Sequence, residues 1–127
     1  MSADLRVVLI DDDPDLRKLI KITLEFTAGW EVVDAADGAD GIATVQREKP
    51  DVVLLDVMMP GMDGYEVCRH LRQDPDTASI PVVLLTARKD VEDERAGTAG
   101  AAGVVFKPFE PDELAPRIGE ILGAANG

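Results

Sequence analysis

The sequence predicts an α/β domain, a doubly wound parallel sheet of five strands in the order 2-1-3-4-5 with five helices. Three observations carry this expectation. Apolar runs of about four to six residues alternate with amphipathic stretches, the rhythm of strands joined through crossover helices. Four of the five runs are apolar at nearly every position, so both of their faces need cover, as in a parallel sheet wrapped by helices. Acidic, hydroxyl or basic residues close those runs, where strand packing asks for no charge.

Taken in chain order, the first strand spans 5–10 and runs through Val7-Val8-Leu9-Ile10 into Asp11 and Asp12. Asp13-Pro14 reads as a helix cap followed by proline at the first helical position, and Leu16, Leu19, Ile20 and Leu24 continue as one apolar stripe towards Gly29. The mixed segment Trp30-Glu31-Val32-Val33-Asp34 suits an edge strand over 31–35. A second helix spans Gly38 to Glu48 and stops before Pro50. The third strand, 52–55, delivers Asp56. Asp63 and Glu66 form a capping box for a third helix, with Val67 and Leu71 facing inward and Pro75 beyond its end. Strands over 81–85 and 103–106 deliver Thr86 and Lys107. The segment between them is the weakest helix of the five, because Ala96-Gly97-Thr98-Ala99-Gly100 has poor helix propensity. The last helix begins near Pro111, buries Leu114, Ile118, Ile121 and Leu122, and contains Pro116, which costs about 3 kcal/mol unless the helix bends. Residues 123–127 read as a frayed tail, so 1–127 is expected to be one domain with its core at about 5–122.

A chain of 127 residues is large enough to bury a real core. Its net charge of −12 opposes direct binding to nucleic acid or to an anionic membrane, and favours cations, phosphodonors and proteins with basic rims. The single cysteine, Cys68, has no partner for an internal disulfide, and nothing resembles a signal peptide or a membrane span. A cytoplasmic location is the expectation. Cys68 reads as a small core residue beside Val67, and His70 as a surface residue that complements a helix C-terminus.

In a sheet of this order, ligands bind beyond the carboxyl ends of the strands, where strands 1 and 3 part. Asp11, Asp12 and Asp56 stand at those two ends. Three carboxylates brought together repel one another unless a cation intervenes. All-oxygen ligands favour a hard ion, Mg²⁺ or Mn²⁺, and Mg²⁺ readily shares its shell with phosphate oxygens. An aspartate is itself a competent nucleophile for phosphoryl transfer. Lys107 offers a mobile positive charge and Thr86 a hydroxyl donor for the oxygens of an arriving group. Each residue has a plainer reading alone: Asp13 caps a helix, Lys107 snorkels, Thr86 sits in a turn. As a set on four strand ends they point to phosphoryl chemistry.

The chain resembles the receiver domain of two-component response regulators over essentially its whole length. The matching segments are Val8-Leu9-Ile10-Asp11-Asp12-Asp13-Pro14, Asp51 to Asp56 with Pro60-Gly61-Met62-Asp63-Gly64, Ile80 to Ala87, and Lys107-Pro108-Phe109. The resemblance implies a flavodoxin-like fold, Asp56 as phosphoacceptor, and Asp11 and Asp12 as the acidic Mg²⁺ pair. It adds the backbone carbonyl of Met58 as a further metal ligand, Thr86 as switch hydroxyl and Lys107 as phosphate-binding lysine. Pro60, Gly61 and Gly64 would shape the loop after strand 3, where glycine tolerates backbone angles closed to other residues. The implied donor is a histidine kinase or a histidine phosphotransfer protein, and the implied output a protein target.

Two features depart from the family pattern. The aromatic or histidine expected three residues before the lysine is Val104, and the segment from Thr86 to Lys107 is about one residue short. The first removes a ring that turns inward on activation, which leaves the loop and helix after Thr86 to carry the response. Two other readings compete. An aspartate-nucleophile phosphohydrolase would present a second acid two residues after the nucleophile, where Met58 stands. A phosphate-independent pseudo-receiver would not need the complete set of acids, threonine and lysine.

Overall fold

The computed structural model describes residues 5–87 and 99–126. Strands β1 (Arg6–Ile10), β2 (Glu31–Ala35), β3 (Val52–Asp56), β4 (Val82–Thr86) and β5 (Gly103–Phe106) pair in parallel in the order β2-β1-β3-β4-β5. Helices α1 (Pro14–Ala28), α2 (Gly38–Glu48) and α3 (Gly64–Gln73) and a C-terminal helix (Pro111–Asn126) cover the sheet. The helix expected between Thr86 and Lys107 falls largely on residues 88–98, outside the described residues.

Alternation along the central strands divides the core in two. Val8, Ile10, Val53, Leu55, Val82 and Leu84 point to one side, where they meet Val45 of α2 and Val67, Cys68 and Leu71 of α3. Val7, Leu9, Val52, Leu54, Val83 and Leu85 point to the other, against Ile20 and Leu24 of α1 and Leu114 and Ile118 of the C-terminal helix. β3 and β4 are buried at every position, as their unbroken apolar runs require, whereas β2 is an edge strand.

Local sequence signals account for the helix ends. The Asp13 side chain accepts from the backbone N–H groups of Asp15 and Leu16, Pro14 opens α1, and Gly29 closes it at φ 71°, a left-handed conformation that suits glycine. Asp63 and Glu66 form the capping box of α3.

Three details differ from the sequence reading. Leu19 is exposed, because the buried line of α1 follows the four-residue spacing of Leu16, Ile20 and Leu24; with Ile22 and Phe26 it forms a second, solvent-facing apolar stripe. β3 and β4 each extend one residue further than expected, so Asp56 pairs with Leu85 and Thr86 with Phe106 inside the ladder. The C-terminal helix continues through Asn126, and Ile121 and Leu122 are only partly buried against the core.

Candidate functional site

The carboxyl ends of β1, β3, β4 and β5 bring the polar residues together because the strands are parallel and nearly in register. Asp11 follows β1 and is fully buried. Three of its four hydrogen-bonding groups are taken. Its backbone N–H donates to the Ala35 carbonyl at 3.2 Å, its carbonyl accepts from Arg17 Nη1 at 2.8 Å, and its Oδ1 accepts from the Asp13 N–H at 2.9 Å. The fourth, Oδ2, is buried with no hydrogen-bond partner among the described residues. Carboxylate oxygens of Asp11, Asp12 and Asp56 lie within 4.8 Å of one another, Asp12 being the exposed member.

Asp56, the last residue of β3, is buried. Its Oδ1 accepts from Lys107 Nζ at 3.2 Å, and the Met58 N–H stands 3.4 Å from the same oxygen. Burial pushes the Asp56 carboxyl above its ordinary value, while the Lys107 cation opposes the rise. Asp11 is pushed from 3.8 to about 6, chiefly by burial, with the hydrogen bond from Asp13 opposing and the charge on Asp56 adding to the effect. A cation among the three would offset both the burial cost and the repulsion. The orphaned Oδ2 of Asp11 and the all-oxygen donor set therefore fit a hard divalent ion.

Lys107 follows β5, and its backbone N–H donates to the Thr86 carbonyl at 2.7 Å, tying the ends of β4 and β5. The Lys107–Pro108 peptide bond is cis. The lysine stem lines an apolar cavity of about 270 Å³ together with Leu16, Leu19, Ile20, Phe109 and Pro111, between α1 and the start of the C-terminal helix. Thr86 is buried at the end of β4. Phe106 is its partner in the ladder; Val104 pairs with Leu84 one pleat earlier and packs against the core on the α2 and α3 side.

Two site residues owe their importance to contacts that a linear pattern does not carry. Gly61 has φ 78°, the conformation expected of it, but Gly64 has no such backbone. A Cβ on Gly64 would lie 2.6 Å from the Asp56 carbonyl oxygen and 2.8 Å from Val57 Cα, so glycine there lets α3 abut the end of β3. Arg17, which no sequence signal marks beyond a cation early in an amphipathic helix, bridges the Asp11 carbonyl and Asp34 Oδ2, the latter at 2.8 Å.

A parallel sheet in this order, with a buried aspartate and a lysine beside two further acids at its switch point, is a doubly wound α/β domain with a polar site at the carboxyl ends of its strands. The response regulator receiver domain model matches residues 7–119, and the chain belongs to that family. It is similar to the DNA-binding dual master transcriptional regulator RpaA of Synechocystis sp., 42% identical over 118 residues that make up 92% of this chain and 48% of the relative. It is 41% identical to the DNA-binding response regulator MtrA of Mycolicibacterium smegmatis over 114 residues, 89% of this chain and 48% of that protein. Thus the chain spans about half the length of the curated relatives it matches. Among solved structures, the chemotaxis protein CheY4 of Vibrio cholerae superposes with a TM-score of 0.87 at 32% identity, covering 94% of this chain and 99% of CheY4.

Proposed function

We propose that this receiver domain accepts a phosphoryl group on Asp56 from the phosphohistidine of a histidine kinase or a histidine phosphotransfer protein, and that the modification switches a protein-binding surface. The observation that carries this reading is the Asp56 carboxylate itself, buried at a strand end, paired with Lys107 and sharing a cluster with Asp11 and Asp12. Asp11, Asp12, Asp56 and the backbone carbonyl of Met58 would hold Mg²⁺, or Mn²⁺ in its place. Bound there, the ion supplies the positive charge that lets carboxylate and phosphoryl oxygens approach one another.

Transfer forms a bond between an Asp56 carboxylate oxygen and phosphorus as the phosphorus–nitrogen bond of the donor breaks, with the electron pair leaving on the imidazole. The product is an acyl phosphate. Lys107 releases Asp56 and provides a point charge for the phosphoryl oxygens, and the Thr86 hydroxyl donates to them. The chain thereby promotes its own phosphorylation and slow hydrolysis without turning over a metabolite. A protein donor is supported by the apolar cavity beside Lys107 and the exposed stripe of Leu19, Ile22 and Phe26. The repulsion of nucleic acid by a net charge of −12 applies to these 127 residues; the DNA binding in the names of RpaA and MtrA belongs to proteins about twice as long. None of the helices among the described residues is long and apolar enough to cross a membrane.

Borohydride reduction tests the assignment, because it converts an aspartyl phosphate to homoserine. After incubation with a phosphohistidine donor, peptide mapping should find homoserine at position 56. A phosphoryl group recovered on His70, or on any acid other than Asp56, would overturn the assignment.

A further inference from the structure

We propose that Arg17 is a positioning residue for the metal site, holding the Asp11 backbone so that Oδ2 is presented to a divalent cation. The inference deepens the reading of Asp11, Asp12 and Asp56 as a Mg²⁺ site and rests on it. Arg17 lies one turn into α1, and its side chain is only 19% exposed. Its planar guanidinium uses two nitrogens on two different elements. Nη1 donates to the Asp11 carbonyl at 2.8 Å, and Nε donates to Asp34 Oδ2 on β2 at 2.8 Å. Lys21 Nζ stands 3.6 Å from the other Asp34 oxygen, which leaves Asp34 held from two sides. Charge-assisted bonds of this kind are stronger than those between neutral groups.

The consequence appears at Asp11. Its N–H is fixed by Ala35, its carbonyl by Arg17 and its Oδ1 by the N–H of Asp13, so the buried Oδ2 is the Asp11 oxygen with no hydrogen-bond partner among the described residues. Removing the Arg17 anchor frees the peptide that joins Asp11 to Asp12, and so disturbs two of the three carboxylates at once. Partners that orient metal ligands in this way commonly change metal affinity by about 10- to 100-fold when mutated.

Charge and positioning predict opposite signs here. Arg17 is a cation near a cation site, so Coulomb repulsion alone makes Arg17→Gln bind Mg²⁺ more tightly. Positioning makes it bind more weakly. Calorimetric titration of the full chain with MgCl₂ should find Arg17→Gln weakened about tenfold or more. Arg17→Lys keeps the charge, but one ammonium cannot span both anchors, so its affinity should also fall below wild type. Asp34→Asn should weaken binding less than Arg17→Gln, and the double variant should be no weaker than Arg17→Gln alone, because both act through one bridge. In the metal-free protein, amide exchange at Asp13 should speed up in Arg17→Gln at matched global stability. Unchanged or tighter Mg²⁺ binding in Arg17→Gln, or wild-type affinity in Arg17→Lys, overturns the proposal. If Arg17→Gln does not fold, Arg17→Lys decides, because it keeps the charge and loses the bridge, and wild-type affinity there overturns the proposal. Absence of Mg²⁺ binding by the wild type would instead overturn the underlying assignment of the acidic cluster.

Discussion

Replacing Asp11 by asparagine should make the metal-free protein more stable, although it removes a residue of the site. Burial raises the Asp11 carboxyl from 3.8 to about 6. The folded chain therefore holds this proton more tightly than the unfolded chain, and stability is lost as pH rises from about 4 to about 6 and stays lost above that window. At about 1.4 kcal/mol per tenfold change in proton affinity, the raised value costs the fold about 3 kcal/mol at pH 8, where the buried carboxylate is ionised, and about 1 kcal/mol at pH 4.5, where the folded chain keeps a proton that the unfolded chain has largely lost. Asparagine removes the charge, keeps an oxygen for the Asp13 N–H and offers an amide donor where Oδ2 faces the other carboxylates. Asp11→Asn should thus gain about 3 kcal/mol at pH 8, which in a domain of this size is about 10 °C in Tm. Urea denaturation in the presence of a chelator measures the gain directly. Equal stability at pH 8, or a gain that does not shrink at pH 4.5, would show that Asp11 carries no burial penalty.

Mg²⁺ affinity in the wild type should fall as pH drops through about 6, where Asp11 takes up its proton, and Asp12→Ala should weaken it strongly; a flat calorimetric pH profile would contradict the ligand set. Gly64→Ala places a Cβ 2.6 Å from a backbone oxygen that cannot yield, so it should lose about 1–3 kcal/mol in urea denaturation and slow phosphorylation of Asp56; wild-type stability would mean that α3 shifts freely. Thr86→Ala and Lys107→Ala should still accept phosphate but lose most of the conformational response. A 1:99 to 99:1 shift needs about 5.5 kcal/mol, and one hydrogen bond to a charged group supplies about 1.5–3 kcal/mol, so the Thr86 hydroxyl acts together with other contacts. NMR shifts at Val104 and Phe106 that respond equally to phosphorylation in wild type and Thr86→Ala would count against this role.

The sheet order and the placing of Asp11, Asp12, Asp56, Thr86 and Lys107 at the carboxyl ends of their strands were legible because both depend on local pattern. An apolar run ended by a polar residue marks a strand end, and parallel connection through helices brings those ends to one side. The caps at Asp13 and Asp63 were legible for the same reason, since each is satisfied within its own turn. Contacts between distant elements were not. Arg17 reads as an ordinary helix cation until the fold sets Asp34 of β2 beside it. Gly64 reads as a flexible loop residue, but its place is fixed by the Asp56 carbonyl behind it. Leu19 belongs to an apolar stripe in sequence, but α1 presents a narrower line to the sheet than the stripe is wide.

The most direct measurement of the central claim is intact-mass spectrometry of the wild type and Asp56→Asn after incubation with acetyl phosphate, with Mg²⁺ and with a chelator. The account predicts the mass of one added phosphoryl group in the wild type with Mg²⁺, and none in the chelated sample or in Asp56→Asn. Equal labelling of the two proteins would contradict it.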